Sequence, residues 1–90
     1  NGYLEITIMI TPKGNIHDDP IISFRGIPVD DREEFVYGLV ESIEIISRTF
    51  KTSNKQQELS LIDALKIACR KFSKERTGKK PFTNINLVRI

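Results

Sequence analysis

Apolar and polar residues alternate without a break from Tyr3 to Ile10. Leu4, Ile6, Ile8 and Ile10 fall on one side of an extended chain, and Tyr3, Glu5, Thr7 and Met9 on the other. This period of two predicts a half-buried strand, and the isoleucines suit a pleated surface. Pro12, Gly14 and Asn15 then supply turn residues. A second apolar run, about Ile21 to Ile27, lies between Pro20 and Pro28 and reads as a strand bounded by residues that cannot donate to a ladder. The two strands are expected to form a hairpin with a long connection.

The period changes after Pro28. Asp30-x-x-Glu33 predicts a helix start, with a carboxylate accepting from free backbone N–H groups and acids near the positive end of the helix dipole. Phe35, Val36, Leu39, Val40, Ile43, Ile46 and Phe50 follow on one helical stripe. The polar run Lys51 to Gln57 reads as a loop. Leu61, Ile62, Leu65, Ala68, Cys69 and Phe72 make a second stripe, with Gly78 as its C-terminal stop. Phe82 to Ile90 returns to alternation and predicts a third strand. The order β-β-α-α-β predicts an α+β two-layer sandwich over residues 1–90, a three-stranded sheet with two helices on one face.

That architecture leaves the second sheet face to be explained. If Ile85 and Leu87 point at the helices, Phe82, Val88 and Ile90 point away, beside Asn84 and Asn86. Tyr3 and Met9 occupy the matching side of the first strand. Ile45 and Ile67 fall outside the apolar stripes of their helices. Met9, Phe82, Val88 and Ile90, with Ile45 and Ile67 after them, are therefore candidate interface positions. The competing reading is that single surface hydrophobes need no explanation.

Composition narrows the class. Ninety residues, 39% hydrophobic and 29% charged, allow one globular domain. The single cysteine excludes an internal disulfide and fits a reducing compartment. No apolar run approaches the roughly 18 residues of a membrane span. The first residues lack the pattern of a signal peptide, so a cytoplasmic location is expected. Net charge is only +2 but unevenly spread. Asp30 to Ser47 holds six acids and one base, and Lys66 to Lys80 holds seven bases and one acid. The chain is bipolar.

Catalytic chemistry is hard to assemble from these residues. His17-Asp18-Asp19 is the one His/acid cluster, short of the three or four ligands a metal requires. Cys69 sits on a buried stripe, where a thiol behaves as a small hydrophobe. Gly78-Lys79-Lys80-Pro81 follows a helix, whereas a phosphate loop precedes one, and it lacks the spacing and the Ser/Thr of that motif. No catalytic or metal-ligating residue is assigned, and no cofactor is expected in this chain. Lys66, Arg70 and Lys74 recur at i, i+4 and i+8 on an outer helical face, and Lys79 and Lys80 extend it. They are candidate RNA contacts, which would be salt-sensitive and blind to sequence. The alternative is a solvated basic face that complements the acidic first helix, or cations favouring the helix C-terminus.

Taken in order, Asn1-Gly2, Lys13-Gly14, Pro20-Ile21-Ile22 with Gly26, and Glu75-x-Thr77-x-Lys79-Lys80-Pro81 before a last strand ending in Val88-Arg89-Ile90 resemble the C-terminal domain of bacterial ribonuclease J, of the metallo-β-lactamase/β-CASP ribonucleases, most closely its alphaproteobacterial branch. The resemblance spans essentially the whole chain. One departure is Phe24, which interrupts the family's IISRG run and leaves the register of the second strand open. The resemblance implies a non-catalytic accessory domain that supports self-association and activity of a zinc-dependent 5′-to-3′ exo- and endoribonuclease in RNA processing and decay. Zinc would be held by a histidine-rich motif in an upstream catalytic domain. The implied partners are that catalytic core and further copies of the protein, with RNA as substrate of the parent enzyme. An RNA-binding module using the basic helix is the alternative.

Overall fold

The structure, a computed structural model, describes residues 2–90; Asn1, which belongs to the resemblance above, lies outside the described residues. The elements are β1 (Tyr3–Ile10), β2 (Ile21–Arg25), α1 (Arg32–Arg48), α2 (Lys55–Thr77) and β3 (Phe82–Arg89). This is the β-β-α-α-β sandwich read from the sequence. The sheet order is β2-β1-β3, with β2 antiparallel and β3 parallel to the central strand.

β1 is central because it carries the most complete apolar face. Leu4, Ile6, Ile8 and Ile10 are all at most 1% exposed and meet both helices in one cluster with Phe35, Leu39, Ile43, Leu61, Leu65, Cys69 and Ile85. Burying an aliphatic side chain of this size contributes about 1.5–3 kcal/mol. The helices approach closely at Gly38, where any Cβ would overlap the Phe72 ring. Phe72 in turn packs against Phe35 at 5.7 Å between ring centroids and lies under the Arg76 guanidinium at 4.8 Å.

Three boundaries differ from expectation. β2 ends at Arg25 rather than Ile27, because Gly26 adopts a positive φ of 72° and turns the chain away from the ladder. The cap of α1 is Asp31, whose Oδ1 accepts from the Glu34 N–H at 3.1 Å, rather than Asp30. Both aspartates precede an acid by three residues, so the motif is degenerate by one position. The polar run after Phe50 is loop only as far as Asn54. Asn54 Oδ1 accepts from the Gln57 N–H at 2.9 Å, while Gln57 Oε1 accepts from the Ser53 N–H at 2.8 Å, and together they open α2. Gly78 stops that helix as expected, with a left-handed φ of 78° and its N–H donating to the Lys74 carbonyl at 2.9 Å.

The open register at Phe24 is resolved by pairing. Phe24 sits opposite Leu4 and Ile22 opposite Ile6, so both face the helices, and Phe24 makes an edge-on contact with Phe35 at 5.2 Å. At the far end, Arg89 on the helix side of β3 donates to Glu58 through Nε at 2.7 Å and also to the Thr52 carbonyl, tying β3 to the start of α2.

Candidate functional site

Strand pairing places the open sheet face residue by residue. Opposite the buried side of β1 stand Tyr3, Glu5, Thr7 and Met9, and their parallel partners on β3 are Phe82, Asn84, Asn86 and Val88. On β2 the same face carries Arg25, Ser23 and Ile21 beside Tyr3, Glu5 and Thr7. Among the described residues no element covers this face: Phe82 is 69% exposed and Ile21 60%. Tyr3 and Phe82 stack nearly parallel, 5.8 Å apart and 11° off coplanar. Met9 and Val88 pair at the opposite end, followed by exposed Ile90, whose N–H donates to the Ile10 carbonyl at 3.0 Å.

Between these apolar ends lies a polar strip. The Asn84 and Asn86 side-chain amides both donate to Glu5 Oε2, at 3.2 and 3.4 Å, and Asn86 also donates to Thr7 Oγ1 at 3.4 Å. The network pre-orients amide and carboxylate groups across two strands. The face therefore has an aromatic end, a hydrogen-bonding middle and an aliphatic end.

The predicted interface residues separate into two groups. Met9, Phe82, Val88 and Ile90 belong to the open sheet and its end. Ile45 and Ile67 stand exposed on the helical layer, which packs on the opposite side of the sheet. Ile21 is an exposed member of the sheet face that the sequence reading omitted; its position two residues from Ser23, on the side of β2 opposite Ile22 and Phe24, is the signal that finds it.

The predicted cations are also only partly gathered. Arg70, Lys74 and Lys80 line one open groove with Ile67 and Lys71, about 370 Å³ in volume and without an acidic residue in its wall. Lys66 and Lys79 do not line it, and Lys66 is half-buried rather than on the outer face expected of it. Lys71, one residue from Arg70 on the same exposed side, completes the set. A second open groove of about 560 Å³ lies along α1, lined by Asp19, Pro20, Arg32, Glu33, Val36, Tyr37, Val40 and Glu44. Complementation of acidic α1 by basic α2 within the molecule is limited to the pair Arg76–Glu34 at 2.6 Å among the described residues.

The reactive groups stand apart. Cys69 is fully buried, and desolvation pushes its thiol up to about 12. His17 and Asp18 lie 3.6 Å apart and exposed on the β1–β2 connection. Among the described residues no group of three or more His, Cys, Asp or Glu is positioned to hold a metal. Among the described residues no helix is long and apolar enough to cross a membrane. No protein-family model and no curated protein matches the chain.

Proposed function

We propose that the chain is a non-catalytic association domain, the C-terminal accessory part of a zinc-dependent ribonuclease of the ribonuclease J kind, acting in the cytoplasm on RNA processing and decay. The uncovered sheet face carries this reading. A three-stranded sheet with helices on one side leaves Tyr3, Ile21, Phe82, Met9 and Val88 available on the other. Aromatic and aliphatic anchors around pre-oriented polar groups are what a protein–protein contact uses, because desolvated anchors supply affinity and hydrogen bonds set register. A second copy of the domain, held through this face, would position the catalytic cores of the parent enzyme. Chemistry belongs to that core; its zinc ligands lie in the histidine-rich motif expected upstream.

The expected outcome is concentration-dependent dimerisation of the parent enzyme, weakened at least about tenfold by Val88→Asp, since placing a charge in a desolvated contact costs well over the 1.4 kcal/mol of one decade. Sedimentation velocity reads the association and RNA degradation reads the consequence. An enzyme whose association state is the same with and without the aspartate rules the sheet face out as the contact.

A further inference from the structure

The two grooves lie on opposite edges of the sheet. Lys80 stands two residues before β3, and α2 packs over β3, so the basic groove borders the β3 edge. Pro20 immediately precedes β2, so the acidic groove along α1 borders the β2 edge. β2 and β3 are the two outer strands of the order β2-β1-β3. The basic wall carries four cations and no acid; the α1 wall carries Asp19, Glu33 and Glu44 against Arg32 alone. Arg32 is engaged with the Phe24 ring, 5.0 Å from its centroid. Each groove also has an apolar side chain at hand. Ile67 is 69% exposed within the cations, and Tyr37 is equally exposed beside the acids.

None of the groove cations Arg70, Lys71, Lys74 and Lys80 has an ion-pair partner among the described residues, although an acidic helix lies in the same layer. The two charged surfaces point away from one another and cannot meet within one molecule. They can meet between molecules.

We propose that the domain makes a head-to-tail contact with a second copy of itself, in which the basic groove at the β3 edge of one copy receives the acidic, Tyr37-bearing groove at the β2 edge of the next. β2 runs antiparallel and β3 parallel to β1, so copies repeated by translation set the two edge strands beside each other in opposite senses. That brings α2 of one copy next to α1 of its neighbour. The contact is heterologous: each copy gives one surface and receives the other, so it extends beyond a dimer into rings or short filaments. It is distinct from the sheet-face contact, which uses one patch twice. Grooves lined by five and by eight side chains fall short of the roughly 20–30 residues a side of a stable complex. The contact is therefore weak and electrostatic, formed at high local concentration and dissolved by salt. A nucleic-acid strand is the competing occupant of the basic groove. Its apolar member is Ile67 rather than an aromatic ring, so the groove offers phosphate contacts without the base stacking that single-strand binders add.

Charge reversal and remixing test it. One variant carries Arg70→Glu, Lys74→Glu and Lys80→Glu; a second carries Glu33→Lys and Glu44→Lys. All five positions are exposed, and circular dichroism with thermal melting checks that both variants remain folded. Light scattering and sedimentation at low salt should show wild-type species larger than a dimer, falling at least about tenfold in association constant as salt rises from about 50 to 500 mM. Each variant alone should lose these species, and an equimolar mixture should regain a pair through the native acidic face of one and the native basic face of the other. Val88→Asp should leave this salt-sensitive step intact, which separates its failure from failure of the sheet-face reading. Association indifferent to salt, or no recovery on mixing, overturns the proposal. So does salt-sensitive binding of single-stranded RNA that the basic-groove variant abolishes while wild-type association is absent; the groove then belongs to nucleic acid.

Discussion

Cys69 illustrates how a position on a helical stripe decides what a reactive side chain does. It occupies the buried side of α2 between Leu65 and Phe72, and the same burial that fills the core holds the thiol protonated up to about 12. An unfolded chain releases that proton near 9. Below this value folded and unfolded states both keep the proton, and the packing stability of Cys69 is fully present. Between about 9 and 12 the unfolded chain ionises while the folded one does not, so stability falls as pH rises through that window. The denaturant midpoint should therefore drop more steeply above pH 9 in the wild type than in Cys69→Ala, and iodoacetamide should label the native thiol only as fast as the domain opens. Rapid stoichiometric labelling of the native protein contradicts this. Burial of this residue was readable from its spacing alone. The placement of Lys66 was not, because a residue at the margin of a stripe is sorted by the neighbouring helix and strand, which spacing does not describe.

Helix ends show the same division between local and tertiary information. Gly78 was readable because only a residue free of the Cβ penalty closes a helix comfortably at positive φ. The starts were harder. Asp30 and Asp31 offer equivalent carboxylates, and the backbone extension at Asp31, with φ −122° and ψ 103°, selects the second. At α2 the first turn is Lys55-Gln56-Gln57, polar throughout, with Lys55 and Gln56 exposed, so hydrophobic periodicity begins only after the helix does. Asn54→Ala and Asp31→Ala should each lower stability by about 1 kcal/mol, the usual value of an N-cap side chain. Asp30→Ala should stay within about 0.5 kcal/mol of wild type, as an exposed position without such a bond does. Urea denaturation followed by circular dichroism distinguishes them; equal losses at Asp30 and Asp31 would show that the cap is shared rather than held by Asp31.

At the scale of the molecule, the chain order predicted two layers but not which strand is central, nor that residues near the two ends of the chain would share one network. Glu5 meets Asn84 and Asn86 only because β3 returns parallel to β1, a contact spanning about eighty residues that no local pattern encodes. The polar strip they form keeps the Tyr3–Phe82 end apart from the Met9–Val88 end. Contiguous apolar surface adheres without regard to register, whereas buried or half-buried polar groups must find partners and so restrict how two faces meet. Glu5→Leu combined with Asn86→Leu should join the two ends into one apolar stripe. The half-buried hydrogen bonds lost are worth only about 0.5–1.5 kcal/mol each, partly offset by water, so the fold should survive. Association should rise and become heterogeneous: at high salt, where the charged edge contact is dissolved, sedimentation should show large species at concentrations where the wild type gives one discrete complex. Unchanged sedimentation of the double variant would show that the strip does not limit contact through this face, and specificity would then have to reside in the charged edges.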